Sequence, residues 1–312
     1  MKDRLKIVFM GTPEFAVPGL NRLLEEGFDI VAVVTAPDKP KGRGKQIGTS
    51  PVKDFAVEKG LIVLQPTNLK DPGFQTELKS LQADVQIVVA FRMLPEAVWD
   101  MPPMGSYNLH ASLLPDYRGA APINWAIING EKETGVTTFK LKHEIDTGNI
   151  LFQEKEPIHP DDNVGTLYER LMNRGAELLV KTAYALESGE VALKAQVVKD
   201  PKHAPKIFRE DCEINWDDQT INIHNKIRGL SPYPAAWTSL NGKTLKVYKT
   251  EISSESSNKT PGTILSDNKT YLEVATRDGS LRLIEIQLQG KKRMMAGDFL
   301  RGYQLAPEDR LG

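Results

Sequence analysis

The residues of this 312-residue chain best placed to do chemistry together are Asn108 and His110, two apart in Ser106-Tyr107-Asn108-Leu109-His110-Ala111, and Asp146, which precedes Thr147-Gly148. Side chains two apart on an extended strand share a face, so an amide and an imidazole would project side by side. Such a pair can donate hydrogen bonds to a developing oxyanion or handle a proton. A carboxylate brought to the same rim would orient the imidazole and favour its charged form. Taken singly, each has a plainer reading: a lone histidine is more often a hydrogen-bonded structural residue, and an aspartate before Thr-Gly is usually a turn former. The loop behind the pair, Pro115-Asp116-Tyr117-Arg118-Gly119, gives the combination its weight.

These side chains need a scaffold, and the hydropathy pattern supplies one. From residue 5 to about 190, short apolar runs alternate with amphipathic stretches, which predicts an α/β domain around a largely parallel, Rossmann-like sheet. Strands are expected over 5–10, 30–34, 61–64, 85–91, 106–111 and 136–141. Thr12-Pro13, Pro18, Ser50-Pro51 and Asp71-Pro72 read as helix starts, and further helices are expected over 122–129 and 164–187. Ligand sites in such sheets lie beyond the C-terminal ends of the strands, where His110 falls. If 136–141 were a parallel neighbour, Asp146 would reach that same rim.

Periodicity is lost between 189 and 207, where Lys194, Lys199, Lys202 and Lys206 accompany Pro201 and Pro205. This segment reads as an interdomain linker. Beyond it come five short β-rich runs, two of them joined to the next by Asn241-Gly242 and Asp278-Gly279, which suggests a small β-barrel of OB type. The expected division is 1–189, a basic linker over 190–207, and 208–312.

Composition narrows the function classes. Lys plus Arg number 40 against 41 Asp plus Glu, a net charge of −1, with 26% charged and 40% hydrophobic residues. That is the balance of an ordinary soluble globular protein, not of a polycation or an acidic disordered chain. The only cysteine is Cys212, so a disulfide within the chain and a thiolate metal site are excluded, and a reducing cytoplasm is the expected home. The start reads as a first strand, not a signal peptide, and no apolar run is long enough to span a membrane. Gly11-Thr12-Pro13-Glu14-Phe15-Ala16 lacks the second and third glycines of a dinucleotide fingerprint, and no phosphate-binding P-loop occurs, which argues against NAD and ATP chemistry.

The run from Asn108 to Pro115, the stretch Tyr117-Arg118-Gly119-Ala120-Ala121-Pro122 and Asp146-Thr147-Gly148 resemble the folate-dependent formyltransferase family. Gly11 to Ala16, Gly42-Arg43-Gly44 and the join around Lys206-Ile207 and Ile214-Asn215-Trp216 are similar to its tRNA-acting branch. The resemblance implies a Rossmann-like formyltransferase domain followed by an OB-type domain. It implies 10-formyltetrahydrofolate as formyl-donor cosubstrate without a metal, initiator methionyl-tRNA as acceptor, and a monomeric protein. It makes Asn108, His110 and Asp146 the catalytic trio, and places Ser112, Leu113, Leu114, Pro115 and Phe91 at the folate site. The loop over 37–50, with Lys41, Arg43 and Lys45, is implied to meet the tRNA together with Lys206.

One stretch departs from the family pattern A-[YF]-G-x-[IL]-L-P. This chain has Ala90-Phe91-Arg92-Met93-Leu94-Pro95, one residue shorter and with an arginine in place of the glycine. Two rival readings remain at this stage. One is a formyltransferase for a small amine such as an amino sugar nucleotide or glycinamide ribonucleotide. The other is a catalytically silent RNA-binding protein.

Overall fold

The computed structural model describes residues 4–41, 46–197, 200–253 and 259–312, and of Lys41, Gln46 and Ile47 the backbone alone. Arg43 and Lys45, expected to meet tRNA, lie outside the described residues, and so does the side chain of Lys41. Two compact units emerge. One gathers the residues up to Gly119 with Thr134–Pro157 and Tyr168–His203; the other gathers Ala120–Glu133, Ile158–Leu167 and Ala204–Gly312.

The first unit is built on a seven-stranded sheet of β1 (Lys6–Gly11), β2 (Asp29–Val34), β3 (Val63–Leu64), β4 (Val85–Val89), β5 (Ser106–His110), β6 (Glu133–Lys140) and β7 (Ile150–Pro157), in the order β7-β6-β5-β4-β1-β2-β3. The five strands from β3 to β5 are parallel, with Phe9 opposite Ile87 and Val88 opposite Asn108. Their apolar residues are covered on both faces: Ile7, Val8, Phe9, Met10, Val85, Ile87 and Val89 are fully buried. Each such side chain contributes about 1.5–3 kcal/mol on burial. Gly11 ends β1 where a Cβ would stand 2.7 Å from that of Ala16. Close packing of the turn accounts for this glycine.

Helix starts fall where the residue chemistry puts them. Ser50 Oγ accepts from the Lys53 amide before the helix Pro51–Glu58. Asp71 Oδ1 accepts from Phe74 N at 2.9 Å before the helix Pro72–Ser80. Asp71→Ala is expected to cost about 1 kcal/mol in urea unfolding; an unchanged midpoint would contradict the cap. Near Thr12 the outcome differs, since Pro13 itself stands at the N-cap of a short turn Glu14–Ala16 and no side chain caps it.

The expected parallel arrangement fails at one pair. β6 runs antiparallel to β5, with His110 opposite Thr137 and Asn108 opposite Phe139. A parallel return needs a crossover along the length of the sheet, usually a dozen residues or more. Between β5 and β6 the chain instead spends its one helix, Pro122–Ile128, in the other unit and re-enters beside the end of β5 it left. β6 therefore ends opposite Tyr107, at the start of β5, and the segment 141–149 must fold back to bring Asp146 towards His110. β7, which no strand expectation covered, borders β6 on its far side.

The second unit carries β8 (Ala236–Leu240), β9 (Lys243–Ile252), β10 (Ile264–Ser266), β11 (Leu272–Ala275) and β12 (Ser280–Leu288) in the order β8-β9-β12-β11-β10, all pairs antiparallel, with Met294–Met295 added beside β12. Arg310 and Leu311 bridge to Thr263, just before β10, and to Leu240 of β8. The chain end thus joins the two edge strands, as barrel closure requires. Asn241 and Gly242 both take positive φ, 49° and 73°, as a tight hairpin turn demands. The helix Thr220–Leu230, absent from the sequence reading, buries Ile223, Ile227 and Leu230 in the unit's core and packs on β9. It also crosses Pro122–Ile128, where a Cβ on Gly229 would lie 2.7 Å from Ile128. This contact draws 120–133 into the second unit. Among the described residues, no helix is long and apolar enough to cross a membrane.

Candidate active site

The end of β5 delivers His110 into a nearly closed environment, 7% exposed, with Asn108 half-buried two residues earlier. Nε2 of His110 lies 2.9 Å from the carbonyl oxygen of Tyr117. A carbonyl only accepts, so Nε2 carries a proton and donates it. Nδ1 is thereby the position left to face the carboxylate of Asp146, whose Oδ2 is 3.9 Å away. That gap exceeds a hydrogen bond. Asp146 Oδ2 instead accepts from the amide of Gly119 at 3.0 Å.

Two loops frame the imidazole, and both hold strained backbone. Tyr117 has φ 61° and Asp146 φ 54°, in the left-handed region that costs a residue with a Cβ roughly 1 kcal/mol or more. Ala90, at the end of β4, has φ 47°. Gly148 is required by contact: a Cβ there would stand 1.7 Å from the carbonyl oxygen of Lys140. The loop after β6 can fold back only with a glycine at that position.

The segment after β5 is anchored beneath the site. Ser112 is fully buried, its Oγ donating to Asp116 O at 2.6 Å, and its carbonyl accepts from Thr137 Oγ1 at 2.7 Å. Gln153 Nε2 donates to Leu114 O at 2.8 Å, and Leu114 packs with Phe139 and Ile150. Leu113 and Pro115 are half-buried. Ser112 and Leu114 thus hold the loop, and their neighbours Leu113 and Pro115 keep some surface.

At the end of β4, Phe91 is half-buried against the sheet core and the guanidinium of Arg92 lies 5.5 Å from its ring centroid. Arg92 reaches the carbonyls of Pro66 and Thr67, and its buried Nε has no hydrogen-bond partner among the described residues. Burial pushes this guanidinium below its ordinary pKa. The arginine that replaces the pattern's glycine ties two loops together beside Phe91.

The structure therefore brings Asn108, His110, Asp146 and the 112–115 loop into one neighbourhood of the first unit. Lys206 belongs to the second unit, exposed, with Nζ 5.2 Å from the ring centroid of Phe208; Arg209 sits 5.5 Å from the Trp237 ring. Sequence reasoning missed the contacts of Tyr117, Gly119, Gln153 and Gln196. Those of Gly119, Gln153 and Gln196 join positions far apart in the chain, and the Tyr117 contact is a backbone one that no side-chain motif announces.

Comparison with known proteins agrees with this architecture. Residues 5–183 match the model of the formyl transferase family, and 206–304 match that of the formyl transferase C-terminal domain. The methionyl-tRNA formyltransferase of Parabacteroides distasonis is 52% identical over 322 residues, covering 100% of this chain and 99% of its own. That of Bacteroides thetaiotaomicron is 49% identical, covering 98% of each chain. Among solved structures, WlaRD, a sugar 3N-formyl transferase with dTDP and 5-N-formyl-THF, superposes with a TM-score of 0.67 at 22% identity over 93% of this chain and 100% of that one. HypX from Aquifex aeolicus with tetrahydrofolic acid gives 0.65 at 20% identity over 96% of this chain and 47% of that chain. The structural likenesses carry the fold; the full-length identities carry the relationship, and this chain belongs to the formyl transferase family, on its methionyl-tRNA formyltransferase branch.

Proposed function

We propose that this enzyme transfers the formyl group of 10-formyltetrahydrofolate to the α-amino group of methionyl initiator tRNA in the cytoplasm. The observation that carries the reading is full-length identity of about half to methionyl-tRNA formyltransferases, joined to an Asn108, His110 and Asp146 cluster at the end of a parallel strand. A folate donor suits the residues present. Phe91 offers an aromatic face, and the Asn108 amide has no hydrogen-bond partner among the described residues. The donor supplies a formyl group on a nitrogen that can leave.

Attack by a neutral amine puts negative charge on the formyl oxygen and leaves the amine with a proton to lose. The amide of Asn108 and, with His110 in its doubly protonated form, Nδ1–H are the donors for that oxygen, since Nε2 is committed to Tyr117 O. Tyr117 O fixes the ring's orientation, and Asp146 stabilises positive charge on it from 3.9 Å. The amine's proton passes by way of the Asp146 carboxylate to N10 of the donor as the bond between N10 and the formyl carbon breaks, so tetrahydrofolate leaves neutral, the formyl group stays on the α-amino nitrogen and Asp146 is again a carboxylate. No metal enters this scheme.

For the acceptor, the net charge of −1 leaves binding to local patches. Lys206, with the Phe208 ring beside it, is one; Lys41, Arg43 and Lys45 are proposed as another. Lys206→Ala is expected to raise KM for the charged tRNA several-fold, to lower the slope of log affinity against log salt by about 1, and to leave folate affinity unchanged. Equal KM and salt slope in wild type and variant would remove Lys206 from the interface. The rival small-amine acceptor predicts no salt dependence of that kind.

A further inference from the structure

We infer that Gln196 is a positioning residue that sets the geometry of Asp146; this rests on the proposed reading of Asp146 as part of the reacting centre. Gln196 lies in the lysine-rich segment that the sequence marks as linker, yet it groups with the first unit. Its side-chain Nε2 donates to two backbone carbonyls, Asp146 O at 2.8 Å and Gly148 O at 2.7 Å. Its Oε1 accepts from Arg118 Nε at 3.1 Å and Nη2 at 2.6 Å. Both hydrogens of the amide and its oxygen are therefore used. With carbonyls at one end and a guanidinium at the other, the amide has one orientation.

The two ends hold different loops. The donor end pins the loop of Asp146, which sits in the left-handed region and needs outside support to stay there. The acceptor end holds Arg118, whose neighbours Tyr117 and Gly119 contact His110 Nε2 and Asp146 Oδ2. One amide thus spans the two walls around the imidazole. The same segment is anchored on either side: Lys194 exchanges backbone hydrogen bonds with Ile150, and the Lys202 carbonyl accepts from Tyr117 N at 2.6 Å. Alanine has neither end of the clamp. Glutamate has the size and the acceptor, but would point a lone-pair oxygen at two carbonyls.

The test compares the full-length wild type with Q196A, Q196E, D146N and the double variant Q196A/D146N. Q196A and Q196E are each expected to lower kcat at least about tenfold with both KM values within about twofold. In the D146N background, Q196A is expected to change kcat by less than about twofold, because the group it positions is already gone. Hydrogen exchange at the Gly119 amide, the donor to Asp146, should quicken roughly tenfold in Q196A while β5 amides keep their rates. Full kcat in Q196E, multiplicative losses in the double variant, or unchanged exchange at Gly119 would each overturn the inference. If wild type fails to formylate charged tRNA, the proposed function falls, and the exchange measurement still decides the role of Gln196.

Discussion

Asp146→Asn, which keeps the shape of the side chain and removes its charge, should lower kcat by about 10²–10⁴-fold while the Kd for the folate donor changes less than about threefold. The reasoning is geometric. Asp146 Oδ2 lies 3.9 Å from His110 Nδ1 and holds the Gly119 amide at 3.0 Å, so the asparagine keeps its place in the loop by turning its single oxygen, Oδ1, to accept from that amide. What it loses is the negative charge opposite the imidazole and, in the proposed scheme, the group that takes the amine's proton. Such losses fall on the chemical step, not on binding. Single-turnover kinetics with saturating folate give the answer, and a kcat within threefold of wild type would take Asp146 out of the mechanism.

Gly148→Ala should be nearly as damaging although residue 148 touches no substrate in this scheme. A Cβ would lie 1.7 Å from Lys140 O and 2.9 Å from the Phe139 ring. Lys140 O is backbone at the end of β6, and Phe139 is fully buried, so the clash is relieved only by moving the loop. Displacements of about 1 Å in a reacting group cost roughly 10²-fold in rate. We expect kcat to fall about that far and the unfolding midpoint of the second unit's barrel to stay put. The measurement is kcat beside a thermal melt followed by Trp fluorescence. Wild-type turnover would mean that the fold-back of the loop is not what presents Asp146.

How much of this was legible in the residues differs from element to element. β1, β2 and β4 could be read from short apolar runs because their apolar side chains are buried on both faces. The helices after Ser50 and Asp71 could be read because a capping side chain followed by proline is a local signal. Asn108 and His110 share a face because strand geometry leaves no alternative. Asp146 reaches the imidazole by a different route from the parallel strand expected: strand direction depends on where the preceding connection runs, and Pro122–Ile128 was drawn away by packing on Thr220–Leu230. That partner helix carries apolar residues at Ile223, Ile227 and Leu230, a helical spacing that the β-rich surroundings obscured. Gln196 was invisible because its partners lie 48, 50 and 78 positions away.

The central claim is that the cluster at the end of β5 moves a formyl group onto charged initiator tRNA. Its most direct test is one reaction holding 10-formyltetrahydrofolate labelled in the formyl carbon, methionyl initiator tRNA, uncharged tRNA, free methionine and a dTDP-amino sugar, with each product separated and counted. The account predicts label on the charged tRNA alone, and its loss with His110→Ala. Label on the amino sugar, or none on the charged tRNA while the folate is still bound, would contradict it.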